Sequence, residues 1–312
     1  MRVLLTGAFG NVGSHTLPQL IERGHRVRCL DLPGPANRRA VRRLPGAAEM
    51  CWADITDAGA VAGAMDGIDS VVHLAAMIPP EADERPERAR AVNVGGTANV
   101  IAACRSQPSP PRLLFSSTLD VHGDTLDRPP PRHVDDPLVA TNPYTEHKIE
   151  CERLIGESGL DWAIFRLADV PVLGPRPPHP IMFEIGLRNR IEAIHADDAG
   201  LAIVNALETP QVWGRVLFVG GGRSCQLTYG EYLTRMMAAM GLKPLPERAF
   251  SDAPYCTDWL DTTESAQLLG YQRHSFDDIA AAVAKSLGWR RPLAALFAPI
   301  ARRSMLRLSR YY

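Results

Sequence analysis

The sequence predicts an α/β protein whose core is a doubly wound parallel sheet, with a smaller portion assembled from about residue 170 onward. Short apolar runs alternate with helical stretches at the spacing of strand–helix–strand units. The first run, Val3-Leu4-Leu5, leads straight into a glycine turn at Gly7, Gly10 and Gly13. Successive runs end at Gly7, Asp31, Asp54, Ala75 and Thr118, on the side of such a sheet where ligands bind.

Val3–Leu5 has the continuous apolar character of a strand covered on both faces. The glycines let the backbone turn tightly and approach a pyrophosphate seated on the N–H groups that open the next helix, and Phe9, Asn11 and Val12 complete that turn. The helix is expected from about Asn11 to Arg23, with Gly24 as its stop. "HRVRCLD" is the second strand, and Asp31 lies where a carboxylate accepts from both hydroxyls of an adenosine ribose. Strand, glycine turn, helix, strand and terminal acid in that order specify a dinucleotide site. Asp31 favours NAD because it would repel a 2′-phosphate, while Arg38 and Arg39 leave NADP open. "AAEMCWAD" and "DSVVHLAAM" supply a third and a fourth strand, "ERARAVNVGGTANVIAACRS" a helix and "PRLLFSST" a fifth strand. The whole is a Rossmann pattern.

With 312 residues, 46% hydrophobic content and a net charge of −1, the chain reads as an ordinary globule with no nucleic-acid partner. Six cysteines (Cys29, Cys51, Cys104, Cys151, Cys225, Cys256) without a CxxC fit reduced thiols, and nothing has metal-ligand spacing. The opening "MRVLLTG" leaves no room for a signal peptide and no run has membrane-span length, so a cytoplasmic location is expected.

In "NPYTEHK", Asn142 is a suitable N-cap and Pro143 suits the first helical position, for a helix running to about Glu157. Tyr144 and Lys148 then lie one turn apart on one face. An ammonium beside a phenol favours the phenolate, which suits the tyrosine to exchange a proton with an alcohol or ketone.

These motifs, in this order, resemble the extended short-chain dehydrogenases/reductases, the NAD-dependent epimerase/dehydratase type, over about residues 1–287. They are TGxxGxxG at Thr6–Gly13, Asp31, "ADITD", "HLAA" at His73–Ala76, "NVGGTANV" from Asn93, "FSSTLDVHG" from Phe115, YxxxK at Tyr144–Lys148, "FRLADVPVLGP" and "IHADDAG". The resemblance implies that Tyr144 is the general acid/base. Lys148 would hold the nicotinamide ribose and lower the pKa of Tyr144, and Thr118 would hydrogen-bond the reacting oxygen, with Ser116 and Ser117 as neighbouring candidates. Asp54 and Ile55 would flank the adenine, Leu74, Ala75 and Ala76 would line the cofactor channel, and Asn93 would steady it. A homodimer through the helices starting near Arg88 and Tyr144 is also implied.

The chain departs from that pattern in three places. His122 stands where the family usually has tyrosine, as a second proton carrier or as a packing or hydrogen-bonding substitution. Leu119 and Asp120 occupy the positions of a dehydratase acid pair; losing the first acid disfavours dehydration, and Asp120 is a base or a capping acid. The segment from Asp169 to His195 is short for gripping a nucleotide diphosphate. Its Ile181, Met182 and Phe183, with Met77, Ile78, Pro79 and Pro80, predict a compact apolar pocket. Arg176, Arg188 and Arg190 keep phosphate binding open, and His195, Asp197 and Asp198 are assigned to helix structure rather than to a metal.

The expected organisation is an NAD-binding portion at 1–169, with 195–222 returning to the sheet, and a substrate portion at 170–194 and 223–289. A basic amphipathic tail follows at 290–312, with six arginines and no acid. Leu293, Leu296, Phe297, Ile300 and Leu308 share its apolar face, which would pack on the body or a second subunit, or else touch a membrane surface. The expected activity is NAD-dependent hydride transfer on a secondary alcohol or ketone of a fairly apolar small molecule, with Met77, Thr118, Leu119, Asp120, Asp169 and Met182 facing it. Epimerisation of a nucleotide sugar, or NAD(H) binding without catalysis, are the alternatives.

Overall fold

The computed structural model describes residues 1–44, 48–174, 177–288 and 297–312. The strands of the main sheet are β1 (Arg2–Thr6), β2 (Arg26–Asp31), β3 (Ala48–Trp52), β4 (Ser70–His73), β5 (Arg112–Thr118), β6 (Trp162–Leu167) and β8 (Arg215–Val219). They pair in parallel in the order β3-β2-β1-β4-β5-β6-β8. Successive side chains leave a strand on opposite faces, and here both faces are covered. Val3, Leu5 and Leu114 pack with Leu17 and Leu20 of α1 (Gly13–Glu22) and with Ala202 and Ile203 of α8 (Ala196–Leu207). Leu4, Leu113 and Phe115 point the other way, into Val61 of α3 (Ala58–Ala64), Val100 of α6 (Gly96–Arg105), and Cys151 and Ile155 of α7 (Pro143–Gly156). Burial on both sides is why the middle residues of β1, β4 and β5 form continuous apolar runs instead of alternating.

The helix expected across residues 87–106 is interrupted. After α5 (Pro86–Arg90), a π turn at Ala91–Gly95 precedes α6. Its Asn93 is buried and staples the loop after β4: Oδ1 accepts from the Met77 amide at 2.8 Å, and Nδ2 donates to the Met77 carbonyl at 2.9 Å.

A smaller lobe has its own core, containing Phe183, Tyr229, Phe250 and Phe276. It includes the antiparallel pair β7 (Arg190–Glu192) and β9 (Gln226–Thr228), with α9 (Tyr229–Ala239) and α11 (Phe276–Leu287). α10 (Thr263–Leu269) instead packs against the main sheet through Leu269. The described tail forms α12 (Ala298–Leu306), docked on the small lobe through Met305 and Leu306. Ser309 Oγ donates to the Ala249 carbonyl at 2.5 Å, and Arg310 pairs with Glu184 at 2.6 Å. The predicted apolar face is therefore redrawn: Leu308 packs inward, but Phe297 and Ile300 face solvent, Ile300 at 68% exposure. Leu293, Leu296, Arg290 and Arg291 lie outside the described residues. Among the described residues, no helix is long and apolar enough to cross a membrane.

Candidate active site

The glycine turn is built against the end of β4. Gly7 has φ +69°, and a Cβ there would lie 2.8 Å from the Ala75 amide nitrogen; a Cβ on Gly13 would lie 2.1 Å from the Gly7 carbonyl oxygen. Neither position has room for a side chain, and the first also requires a conformation that other residues avoid. The Asp31 carboxylate braces the turn: Oδ2 accepts from the Phe9 amide at 2.8 Å and Oδ1 from the Leu32 amide at 2.7 Å. Asn11 Nδ2 donates to the Val170 carbonyl at 2.7 Å, tying the turn to the segment after β6. Val12 is the N-cap residue of α1, and Leu74 packs on the core at the end of β4.

Beneath the turn, three buried side chains fix one another. Thr97 Oγ1 donates to the Asn93 carbonyl at 2.6 Å, so it accepts from His73 Nε2 at 3.0 Å. His73 Nδ1 must then accept from Thr6 Oγ1 at 2.8 Å, and that oxygen in turn accepts from the Ala75 amide. Burial and the nearby Lys148 push His73 down to about 3, so it is a neutral strut.

The Ile55 side chain is buried against Gly96, and the Asp54 carboxylate is engaged by Thr56 and Arg88. The aromatic surface at this strand end comes from Phe9 stacked on Trp52 at 6.0 Å, with Arg38 over the Trp52 ring at 5.1 Å.

α7 starts as read from the sequence, with a reciprocal capping box between Asn142 and Thr145. It carries Tyr144 and Lys148 inward, 8% and 3% exposed. Lys148 Nζ donates to the Ser116 carbonyl at 2.6 Å and sits 5.8 Å from the Tyr144 ring centroid. Burial lowers the ammonium to about 8, against the pull of Cys151 and Glu152. The expected depression of Tyr144 by Lys148 is not what this geometry produces. Burial raises the phenol well above its ordinary range and the Asp120 carboxylate adds to the rise, while the Thr118 hydroxyl opposes it. Desolvation of the phenol is the largest effect, so burial decides.

Thr118 ends β5, where its Oγ1 accepts from the Asp120 amide at 3.2 Å. Burial and the neighbouring Asp169 push the Asp120 carboxyl up to about 7, with Thr118 pulling it down. Asp169 accepts from Tyr232 Oη at 2.9 Å. Burial raises the Tyr255 and Cys256 groups, and the Asp120 charge adds to both. Met77 packs with Tyr144, Ala82 and Ala89, and half-buried Ala76 precedes it in the same loop. Thr118, Asp120, Tyr144, Asp169 and Met77 thus lie near one another. Leu119 turns into the core, and Met182 packs with the small lobe, its carbonyl accepting from Tyr229 Oη at 3.0 Å. Tyr232 was missed, since a single aromatic in an amphipathic helix gives no spacing signal.

His122 is settled by its neighbours. Its Nε2 faces Arg166 Nη1 at 3.1 Å, a pure donor, so Nε2 accepts and Nδ1 donates to the Pro137 carbonyl at 3.3 Å. Burial and Arg166 push it down to about 4. Arg166 is paired with Glu152 at 2.7 Å, and Glu152 also accepts from Ser117 Oγ. His122 is a hydrogen-bonding strut. Arg190 is likewise committed internally, to Asp258 at 2.5 Å and to the carbonyls of Thr125 and Arg128. Arg188 is exposed and lines a cavity of about 560 Å³ with Asn189, Phe250 and Asp252, while Arg176 lies outside the described residues.

A parallel sheet in this strand order, with a glycine turn at its first strand end and a buried Thr-Tyr-Lys set beside it, defines a Rossmann protein of the short-chain dehydrogenase/reductase kind. The chain belongs to the NAD dependent epimerase/dehydratase family, whose model matches residues 3–204. It is 36% identical over 174 residues to a 3 beta-hydroxysteroid dehydrogenase/Delta 5→4-isomerase of Mycobacterium tuberculosis, covering 51% of this chain and 44% of that one. It is 30% identical over 188 residues to UDP-glucose 4-epimerase 4 of Oryza sativa subsp. japonica, covering 56% of this chain and 50% of that one. The chain thus spans about half the length of these curated relatives. Among solved structures, UDP-glucose-4-epimerase from Stenotrophomonas maltophila with bound NAD and formylated UDP-arabinopyranose superposes with a TM-score of 0.77. The match has 23% identity and covers 95% of this chain and 99% of that one, a likeness of fold.

Proposed function

We propose that the protein is an NAD-dependent oxidoreductase that interconverts a secondary alcohol and a ketone on a fairly apolar small molecule. The carrying observation is the convergence of Thr118, Tyr144 and Lys148 beside a glycine turn with no room for a side chain. That turn, Asp31 and Lys148 fit NAD, and the structures of relatives bound to NAD support this choice of cofactor. When bound, NAD supplies the hydride acceptor and, once reduced, the donor.

The chain's own residues move the proton and hold the substrate. Tyr144 Oη gives a proton to the ketone oxygen, or takes it from the alcohol, while Thr118 Oγ1 hydrogen-bonds that same oxygen. In the present geometry the phenol is protonated at neutral pH, which suits it to the reductive direction. Lys148 positions the cofactor ribose. Substrate polarity is read from the rim: Met77 lies against Tyr144, while Ile78, Leu138, Val139 and Val172 stand exposed on the loops beyond the strand ends. Arg190 is committed to Asp258, which leaves exposed Arg188 as the described cation of that segment beside the cavity. A cytoplasmic homodimer, joined through α5–α6 and α7, belongs to the same proposal, and sedimentation tests the dimer.

Tyr144→Phe should abolish turnover while leaving NADH binding nearly intact by fluorescence titration; surviving turnover would overturn the acid/base role. Mass spectrometry of nucleotide released on denaturation separates this reading from epimerisation. An empty protein that binds NADH reversibly supports exchange each turnover, whereas tightly retained NAD supports an internal redox cycle.

A further inference from the structure

Residues 290–312 carry six arginines and no acid. The described helix of this segment, α12, has two unlike faces. One carries Met305 and Leu306, buried in the small-lobe core with Leu308 packed beside them. The other turns to solvent. Phe297 at 55% exposure and Ile300 at 68% stand there with exposed Arg303, Ser304 and Arg307, at the three- and four-residue spacing of one helical stripe. Apolar side chains that the fold leaves in water thus alternate along one face with guanidinium groups.

The body of the protein extends the basic surface. Arg302 Nε donates to the Pro244 carbonyl at 3.4 Å, which sets α12 beside exposed Lys243. Arg248 lies over the Tyr312 ring at 4.7 Å, and Arg310 over the Tyr311 ring at 5.0 Å. Two acids stand nearby. Glu184 accepts from both Arg310 and Tyr311 Oη, and Glu247 is exposed one residue before Arg248. Among the described residues, Arg303 and Arg307 have no carboxylate partner. Lys243, Arg248 and four arginines of the tail therefore outweigh Glu184 and Glu247, and the patch is positive.

We infer that the outer face of α12, with Tyr311 and Tyr312, docks on an anionic phospholipid surface. A bilayer interface offers in one place what this face lacks: anionic headgroups for Arg303 and Arg307, and an acyl boundary just beneath for Phe297 and Ile300. Tyrosines suit the depth between the two. Nucleic-acid phosphates would match the guanidinium groups but leave Ile300 in water. With two apolar side chains to bury, the attachment is peripheral, reversible and sensitive to salt. It stands whether or not the proposed substrate class holds. The small lobe that carries α12 also carries Tyr232, which reaches Asp169, so an attached protein works close to the phase in which apolar alcohols and ketones collect.

The test is co-sedimentation of the full chain with vesicles of phosphatidylcholine alone and of phosphatidylcholine mixed with phosphatidylglycerol. The protein should partition to the mixed vesicles at low salt, be released at high salt, and stay in solution with phosphatidylcholine alone. Arg303→Glu with Arg307→Glu should weaken partitioning about tenfold or more, and Ile300→Asp should weaken it several-fold. Arg223→Glu with Arg273→Glu, an equal charge change at exposed sites elsewhere, should partition as wild type. Phe297→Trp should be quenched by bromine-labelled acyl chains. Melting curves confirm that each variant is folded. No partitioning to the mixed vesicles, an equal loss in the Arg223 and Arg273 pair, or no quenching of Phe297→Trp would overturn the assignment. So would a fall in sedimenting mass caused by Arg303→Glu with Arg307→Glu in the absence of lipid, which would give the face to a second copy of the chain.

Discussion

The cofactor cradle and the small-lobe wall of the site are held by different physics. At the cradle, backbone meets backbone: Gly7 lies against Ala75, Gly13 against the Gly7 carbonyl, and the Asp31 carboxylate accepts from the Phe9 and Leu32 amides. At the wall, charged side chains do the holding. Asp258, nearly fully buried, accepts from Thr125 Oγ1 at 2.6 Å and pairs with both Arg190 and Arg132. Backbone packing has one solution and suits a ligand portion that never varies. A side-chain network can be rewired residue by residue, which suits a substrate surface that differs among relatives.

The sharpest break in that contrast is Gly13→Ala. The methyl would sit 2.1 Å from the Gly7 carbonyl, so NADH binding should fall below detection in a fluorescence titration. Retained binding would mean that the cradle yields. On the other side, Asp258→Ala removes the carboxylate shared by buried Arg132 and part-buried Arg190, leaving them Asp136 and backbone carbonyls, and should cost roughly 2–4 kcal/mol in urea unfolding. A loss below about 1 kcal/mol would demote that network to a surface pair.

A smaller effect probes the acid between the two regions. Asp120 has a folded pKa raised from 3.8 to about 7, so the native state holds a proton that the unfolded chain releases. Stability should therefore fall as pH rises from about 4 to about 7. Asp120→Asn should flatten that slope in urea melts; an unchanged slope would place the titration elsewhere. Smallest of all, Arg310→Ala removes an exposed pair with Glu184 and should change stability by no more than about 1 kcal/mol.

What could be read from the chain follows the same division. Gly7 to Asp31, and Tyr144 to Lys148, are short-range patterns, and local geometry obliges them to act together. Asp169 with Tyr232, Arg190 with Asp258 and His195 with His274 are joined only by the fold. Arg190 was open to misreading because a free cation and a paired one look alike in sequence. Ile55 lies in the turn after β3, and its side chain is buried in the core beneath Gly96, a contact only the fold makes. The depression expected at Tyr144 takes no account of desolvation, and burial of the phenol raises it instead.

The π turn at Ala91–Gly95 bears on how this chain can change length. A helix holding one residue beyond its regular winding is phase-shifted: everything after the bulge faces about 100° away from where an unbroken helix would aim it. Deleting a single residue there would leave a better helix and a worse protein, because Thr97 and Val100 would rotate off His73 and the sheet while every local propensity improved. Length at this point is as much a coordinate as any side chain.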